Sequence, residues 1–133
     1  MHKQVNAISG RLSLRPPQRT SLEMLDRVME IAQPHKSNDA AAALTTIQSE
    51  FPTVTSFERD FPSLCFALAT GVGKTRLMGA FISYLHLAHG LRNFFVLAPN
   101  LTIYDKLIAD FTPNTPKYVF KGIAEFVTTL PIL

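Results

Sequence analysis

The segment Ala69-Thr70-Gly71-Val72-Gly73-Lys74-Thr75 constrains this chain more than any other. It follows an apolar run, Ser63-Leu64-Cys65-Phe66-Ala67-Leu68, and precedes a stretch in which Leu77, Met78, Phe81, Ile82, Leu85 and Ala88 recur at helical spacing. An apolar run, a glycine turn and an amphipathic helix in that order predict a strand buried on both faces of a parallel sheet, turning straight into a helix. Two glycines one residue apart let the backbone curl so that successive N–H groups point inward, and the helix start adds positive partial charge. Phosphate is the natural ligand of such a turn. Lys74 would reach it as a mobile point charge, and the Thr75 hydroxyl would complete the coordination of Mg²⁺.

The rest of the chain reads as alternating elements. Leu22, Leu25, Val28, Met29 and Ala32 mark an amphipathic helix over 17–32, and Asp39 or Asn38 is placed to cap a second over 40–50 that ends at Pro52. Residues 52–62 read as a loop that tucks Phe57 and Phe61 under the sheet. Gly90 stands where the helix after the glycine turn needs a left-handed terminus. Residues 94–98 predict a second buried strand stopped by Pro99, Thr102 with Asp105 a capping box for a helix to about Phe111, and Tyr118-Val119-Phe120 a third strand. Upstream, Leu12 and Leu14 suggest a short extended piece ended by Pro16 and Pro17. Lys3, Arg11, Arg15 and Arg19 all precede the first carboxylate, Glu23, and read as a solvated basic arm or a phosphate-contacting surface. The expected division is 1–52, an N-terminal extended segment with two helices, and 53–133, an incomplete nucleotide-binding domain.

Composition narrows the class. Of 133 residues, 47% are hydrophobic and 17% charged, which suits a globular domain rather than a disordered chain. The single cysteine, Cys65, excludes a disulfide framework and fits a reducing, cytoplasmic setting, with packing as its simplest role. The start of the chain carries no apolar leader, and the apolar stretch 78–91 is interrupted by His86 and His89 and too short to span a bilayer, so no membrane partner is expected. Those two histidines have a spacing a metal can use, without an evident third ligand. Tyr84 and the phenylalanines read as core. A net charge of +3 permits a polyanionic partner without demanding one.

Leu68 stands where the general phosphate-loop pattern places its first glycine. A loop of the form x-Ala-Thr-Gly-x-Gly-Lys-Thr resembles motif I of superfamily 2 helicases and translocases. Leu14-Arg15-Pro16-Pro17-Gln18 looks like the element those proteins carry upstream, and Val96-Leu97-Ala98-Pro99-Asn100 looks like their motif Ia. The combination is most similar to the helicase part of the restriction subunit of type III restriction endonucleases. That resemblance implies an α/β fold, a partial RecA-like P-loop NTPase domain with a parallel sheet, preceded by N-terminal helices. It implies ATP and Mg²⁺ as cofactors, contacted by Gln18 at the adenine edge and by Thr70, Gly71, Val72, Gly73, Lys74 and Thr75, with Thr75 on the metal. It implies double-stranded DNA as partner, along whose backbone Pro99, Asn100 and Thr102 would lie, and a methylating modification subunit. For Gln18 a helix-surface role, and for Asn100 a helix cap, stay open beside these.

Phosphoryl transfer needs an acidic residue on the metal. After Lys74 the carboxylates are Asp105, Asp110 and Glu125, and none belongs to an Asp-Glu pair following an apolar strand. The expectation is therefore a truncated N-terminal piece that binds nucleotide without turning it over. The family's sheet order would take the neighbours of the first strand from beyond Leu133, leaving sheet edges and apolar surface exposed to self-association. The alternatives are a non-catalytic remnant or interaction fragment and a small P-loop kinase, the latter disfavoured by the loop's position and its missing first glycine.

Overall fold

Val5, Ile8 and Leu12 are three and four residues apart, and all three are buried on one side of a helix in the computed structural model of the chain, which describes residues 1–36 and 39–128. This helix, α1 (Lys3–Arg11), is followed by α2 (Pro16–Ala32), α3 (Ala40–Glu50), α4 (Lys74–His89), α5 (Leu101–Asp110) and the single turn α6 (Glu125–Thr128). The first of these was not expected. Its three apolar residues are spread through a polar, basic segment, so the helical period is easily read as a solvated arm.

Local chemistry sets the helix ends. Pro16 and Pro17 occupy the first turn of α2, where a missing N–H costs nothing, and the Gln18 side chain reaches back to accept from the Arg15 N–H at 2.8 Å. Asp39 caps α3 by accepting from the Ala42 N–H at 3.0 Å; Asn38, the other capping candidate, lies outside the described residues. Gly90 closes α4 at φ 70°, donating to the His86 carbonyl as its position predicted. The cap of α5 is Asn100, whose side chain accepts from the Ile103 N–H at 3.0 Å, so the helix begins before the Thr102–Asp105 pair expected to start it.

Packing gathers these helices around α4. Leu77, Ala80 and Tyr84 of α4 meet Val5, Ile8 and Leu12 on one side, Leu22, Leu25 and Met29 of α2 on another, and Phe111, Val119, Phe120, Ile123 and Phe126 from the C-terminal part. Gly79 lets the 119 turn approach, since a Cβ there would lie 2.5 Å from the Val119 carbonyl oxygen. A second, smaller cluster of Val28, Ala43, Ile47 and Phe57 joins α2 to α3.

The expected parallel sheet is absent: no strand forms among the described residues. Residues 63–68 and 94–98 carry no helix, and among the described residues neither makes a backbone–backbone hydrogen bond. A strand satisfies its N–H and C=O groups only through a neighbour, and here neither segment has one. An apolar run reports burial and not pairing, and Ser63-Leu64-Cys65-Phe66-Ala67-Leu68 contains no β-branched residue to favour a pleated surface. Its burial is one-sided: Phe66 and Leu68 pack on the main cluster and Leu64 on the second, while Cys65, expected to be packed, is exposed. The third expected strand, 118–120, is a turn that places Val119 and Phe120 in the core and ties the Val119 N–H to the Asp110 carbonyl at 2.9 Å. The 52–62 segment is irregular as expected, but with no sheet to cover them its two aromatics part: Phe57 is buried between α2 and α3, and Phe61 is exposed.

Segment 94–97 is the conspicuous apolar surface, with Phe95 89% and Leu97 77% exposed and Leu101 of the adjoining α5 also open to solvent. The expectation that every phenylalanine is core fails here for the same reason as the strand, because nothing pairs with this segment to cover it. Contiguous exposed apolar residues on unpaired backbone favour association. Sedimentation should therefore show concentration-dependent self-association that the double substitution Phe95→Ser, Leu97→Ser reduces; a concentration-independent monomer would contradict this reading of the surface.

Candidate nucleotide-binding site

The glycine turn survives without the sheet. Thr70 and Gly71 form a turn, Gly71 and Gly73 hold φ values of 85° and 84°, and Lys74 opens α4 immediately afterwards. Both glycines occupy the left-handed region that a side chain disfavours. Gly73 is the N-cap of a 16-residue helix and no side chain caps it; the first helical bond runs from the Leu77 N–H to the Gly73 carbonyl at 3.1 Å. The amides at the start of α4 thus face outward with the helix dipole behind them, which is the local chemistry of an anion site. Lys74 is exposed at this end, Thr75 and Val72 are half-buried, and Thr70 is exposed.

The loop is held from below by the start of α2. Gln18 is only 2% exposed, and both ends of its amide are used: Oε1 accepts from the Arg15 N–H, and Nε2 donates to the Gly73 carbonyl at 2.9 Å. Arg15 donates from Nη1 to the Gly71 carbonyl at 3.2 Å. With two loop carbonyls turned toward α2, the intervening peptide units are free to direct their N–H groups the other way. From the helix side, Arg76 donates to the Leu12 carbonyl at 2.6 Å, tying the first turn of α4 to the end of α1. These ties bring Arg15, Lys74 and Arg76 to the same end of α4, a concentration of positive charge suited to a polyanion.

Of the residues singled out from sequence, Gln18 and the 70–75 loop are brought together. Pro99 and Asn100 are exposed, with the Asn100 side chain occupied as the α5 cap, and Thr102 is exposed on the first turn of that helix. Among the described residues no hydrogen bond joins the 99–102 segment to the loop. Sequence reasoning missed Arg76, and it gave Arg15 as part of a basic arm or phosphate-contacting surface but not as a tie to the loop. The Arg15 signal was present in Leu-Arg-Pro-Pro-Gln, but its carbonyl partner lies 56 residues away and nothing local announces it.

A Gln18→Ala substitution removes the buried side chain that joins α2 to the loop, leaving the Arg15 N–H without its partner and the Gly73 carbonyl with only its bond from Leu77. It should lower stability in urea unfolding by about 1–3 kcal/mol, whereas a change within about 0.5 kcal/mol, the range of ordinary surface substitutions, would show that the loop does not depend on this contact.

Among the described residues no helix is long and apolar enough to cross a membrane. Comparison with curated proteins and with solved structures returns no match. The family model described as type III restriction enzyme, res subunit, matches residues 11–130, a span that takes in the Arg15–Gln18 element, the glycine loop and the 99–102 segment. The chain belongs to the family of type III restriction enzyme res subunits.

Proposed function

We propose that this chain is the nucleotide-binding part of an ATP-dependent DNA helicase or translocase of the restriction-enzyme kind, taking ATP and Mg²⁺ at the 70–75 loop. The observation that carries the reading is the join of a two-glycine turn to an uncapped helix N-terminus with Lys74 in its first position. On this reading the amides of residues 71–75 surround the phosphates, Lys74 neutralises the β- and γ-phosphates, and the Thr75 hydroxyl is the protein's ligand to the metal, consistent with the few protein ligands Mg²⁺ accepts. Gln18 retains one N–H and one lone pair beyond the bonds it makes, and these serve the adenine edge. Pro99, exposed beside the 94–97 segment, and Thr102, on the first turn of α5, supply backbone contacts to DNA, joined by the part of Asn100 not used in capping.

A second reading, nucleotide binding without hydrolysis, is favoured by the carboxylates that follow Lys74. Asp110 is buried and paired with Lys106, Glu125 is paired with Arg11, and Asp105 is exposed on α5. None is offered as the acidic ligand that phosphoryl transfer requires beside Thr75. The chain then binds ATP as a remnant or as one partner in a larger assembly.

Saturating ATP–Mg²⁺, at about a hundred times the dissociation constant, should stabilise the folded chain by about 2.7 kcal/mol, read as a rise in melting temperature. Lys74→Ala should abolish the rise. An unchanged rise in that variant would remove the loop from the site, and phosphate release from the unaltered chain above the level of Lys74→Ala would overturn the non-hydrolysing reading.

A further inference from the structure

The opposite end of α4 gathers three histidines from three parts of the chain. His2 precedes α1, His35 lies in the turn after α2, and His89 is the last residue of α4, about 22 Å along the helix from Lys74 at 1.5 Å per residue. The ring centres of His35 and His89 are 4.8 Å apart and those of His2 and His89 6.4 Å. They line a cavity of about 350 Å³ together with Tyr84, Asp26, Glu30 and Lys36.

The hydrogen bonds assign one ring nitrogen in each of His89 and His2. The Tyr84 hydroxyl donates its one proton to Asp26 Oδ1 at 2.7 Å, so the His89 Nε2 at 2.9 Å from the Tyr84 oxygen must carry a hydrogen and donate it. Asp26 is further engaged by the His2 backbone N–H at 3.1 Å. His2 caps α1 by accepting from the Gln4 N–H at Nδ1, a role open only to an unprotonated nitrogen. His35 has both ring nitrogens buried without a partner, so a second proton there adds an unsatisfied donor as well as a charge. The groups facing the cluster are the Asp26 and Glu30 carboxylates from α2, Lys36 from the turn, the terminal amine of Met1 and the neighbouring rings. Among the described residues no set of three His, Cys, Asp or Glu side chains is arranged for a metal ion.

We infer that the meeting of His2, His35 and His89 is an acid-sensitive latch, in which protonation of His35 and His89 releases the start of α1 and the 33–36 turn from the far end of the helix that carries the glycine loop. Burial, then Lys36, holds His35 below the ordinary histidine range, and burial, then the other two rings, does the same for His89. Groups that bind protons less readily folded than unfolded leave stability unchanged above the ordinary value of about 6.5 and reduce it as pH falls below that value.

Thermal melts of the full chain should show a fall of roughly 3–6 °C between pH 7.5 and 5.5, at least halved in the His35→Gln, His89→Gln double variant. Ring-proton NMR titration of the unaltered chain, which needs no variant to fold, should place both rings below 6.5, and amide exchange at pH 5.5 should rise in α1 and residues 33–36 more than in α3. Equal melting shifts in both proteins, either ring titrating at or above 6.5, or a uniform rise in exchange would each overturn the latch.

Discussion

The Gln18 side-chain amide is the contact on which the site depends. One end of it completes the start of α2 and the other holds the last carbonyl of the glycine turn, so the geometry of the loop is inherited from the helix below it. A buried amide with both ends engaged is costly to break, and it is supported on one side by Arg15 on Gly71 and on the other by Arg76 on Leu12. A Cβ on Gly73 would strike the Gln18 amide nitrogen, which makes the pairing of these two residue types specific in both directions.

Those ties only hold if α4 is itself fixed, and it is the most enclosed helix of the chain. Tyr84, fully buried, spends its hydroxyl on Asp26, and Leu77 and Ala80 fill the space between α1 and α2. Opposite ends of one rigid helix therefore serve opposite purposes: an uncapped N-terminus with outward amides at Lys74, and a C-terminus packed into a histidine-lined cavity at His89. Melting of the C-terminal end would loosen the core that steadies the loop.

Most of what is local was legible in the residues. The start of α2 follows from Pro16 and Pro17, that of α3 from Asp39, the end of α4 from Gly90, and the two positive φ values of the turn from Gly71 and Gly73. What failed needed partners distant in sequence. Apolar runs at 63–68 and 94–98 state that residues seek burial but not that a neighbouring strand exists, and the structure satisfies the first run by laying Leu64, Phe66 and Leu68 on helices. The bond from Gln18 to Gly73, the Arg15 contact and the meeting of His2, His35 and His89 each join segments that only the folded chain brings together.

The most direct measurement is an NMR titration of the full chain with ATP–Mg²⁺, following backbone amides and glutamine side-chain amides. The expected result is that the amides of residues 71–76 and the Gln18 side-chain amide move together and saturate at one concentration. Movement confined to other residues, or loop amides that shift while the Gln18 amide stays fixed, would contradict a nucleotide site built on that contact.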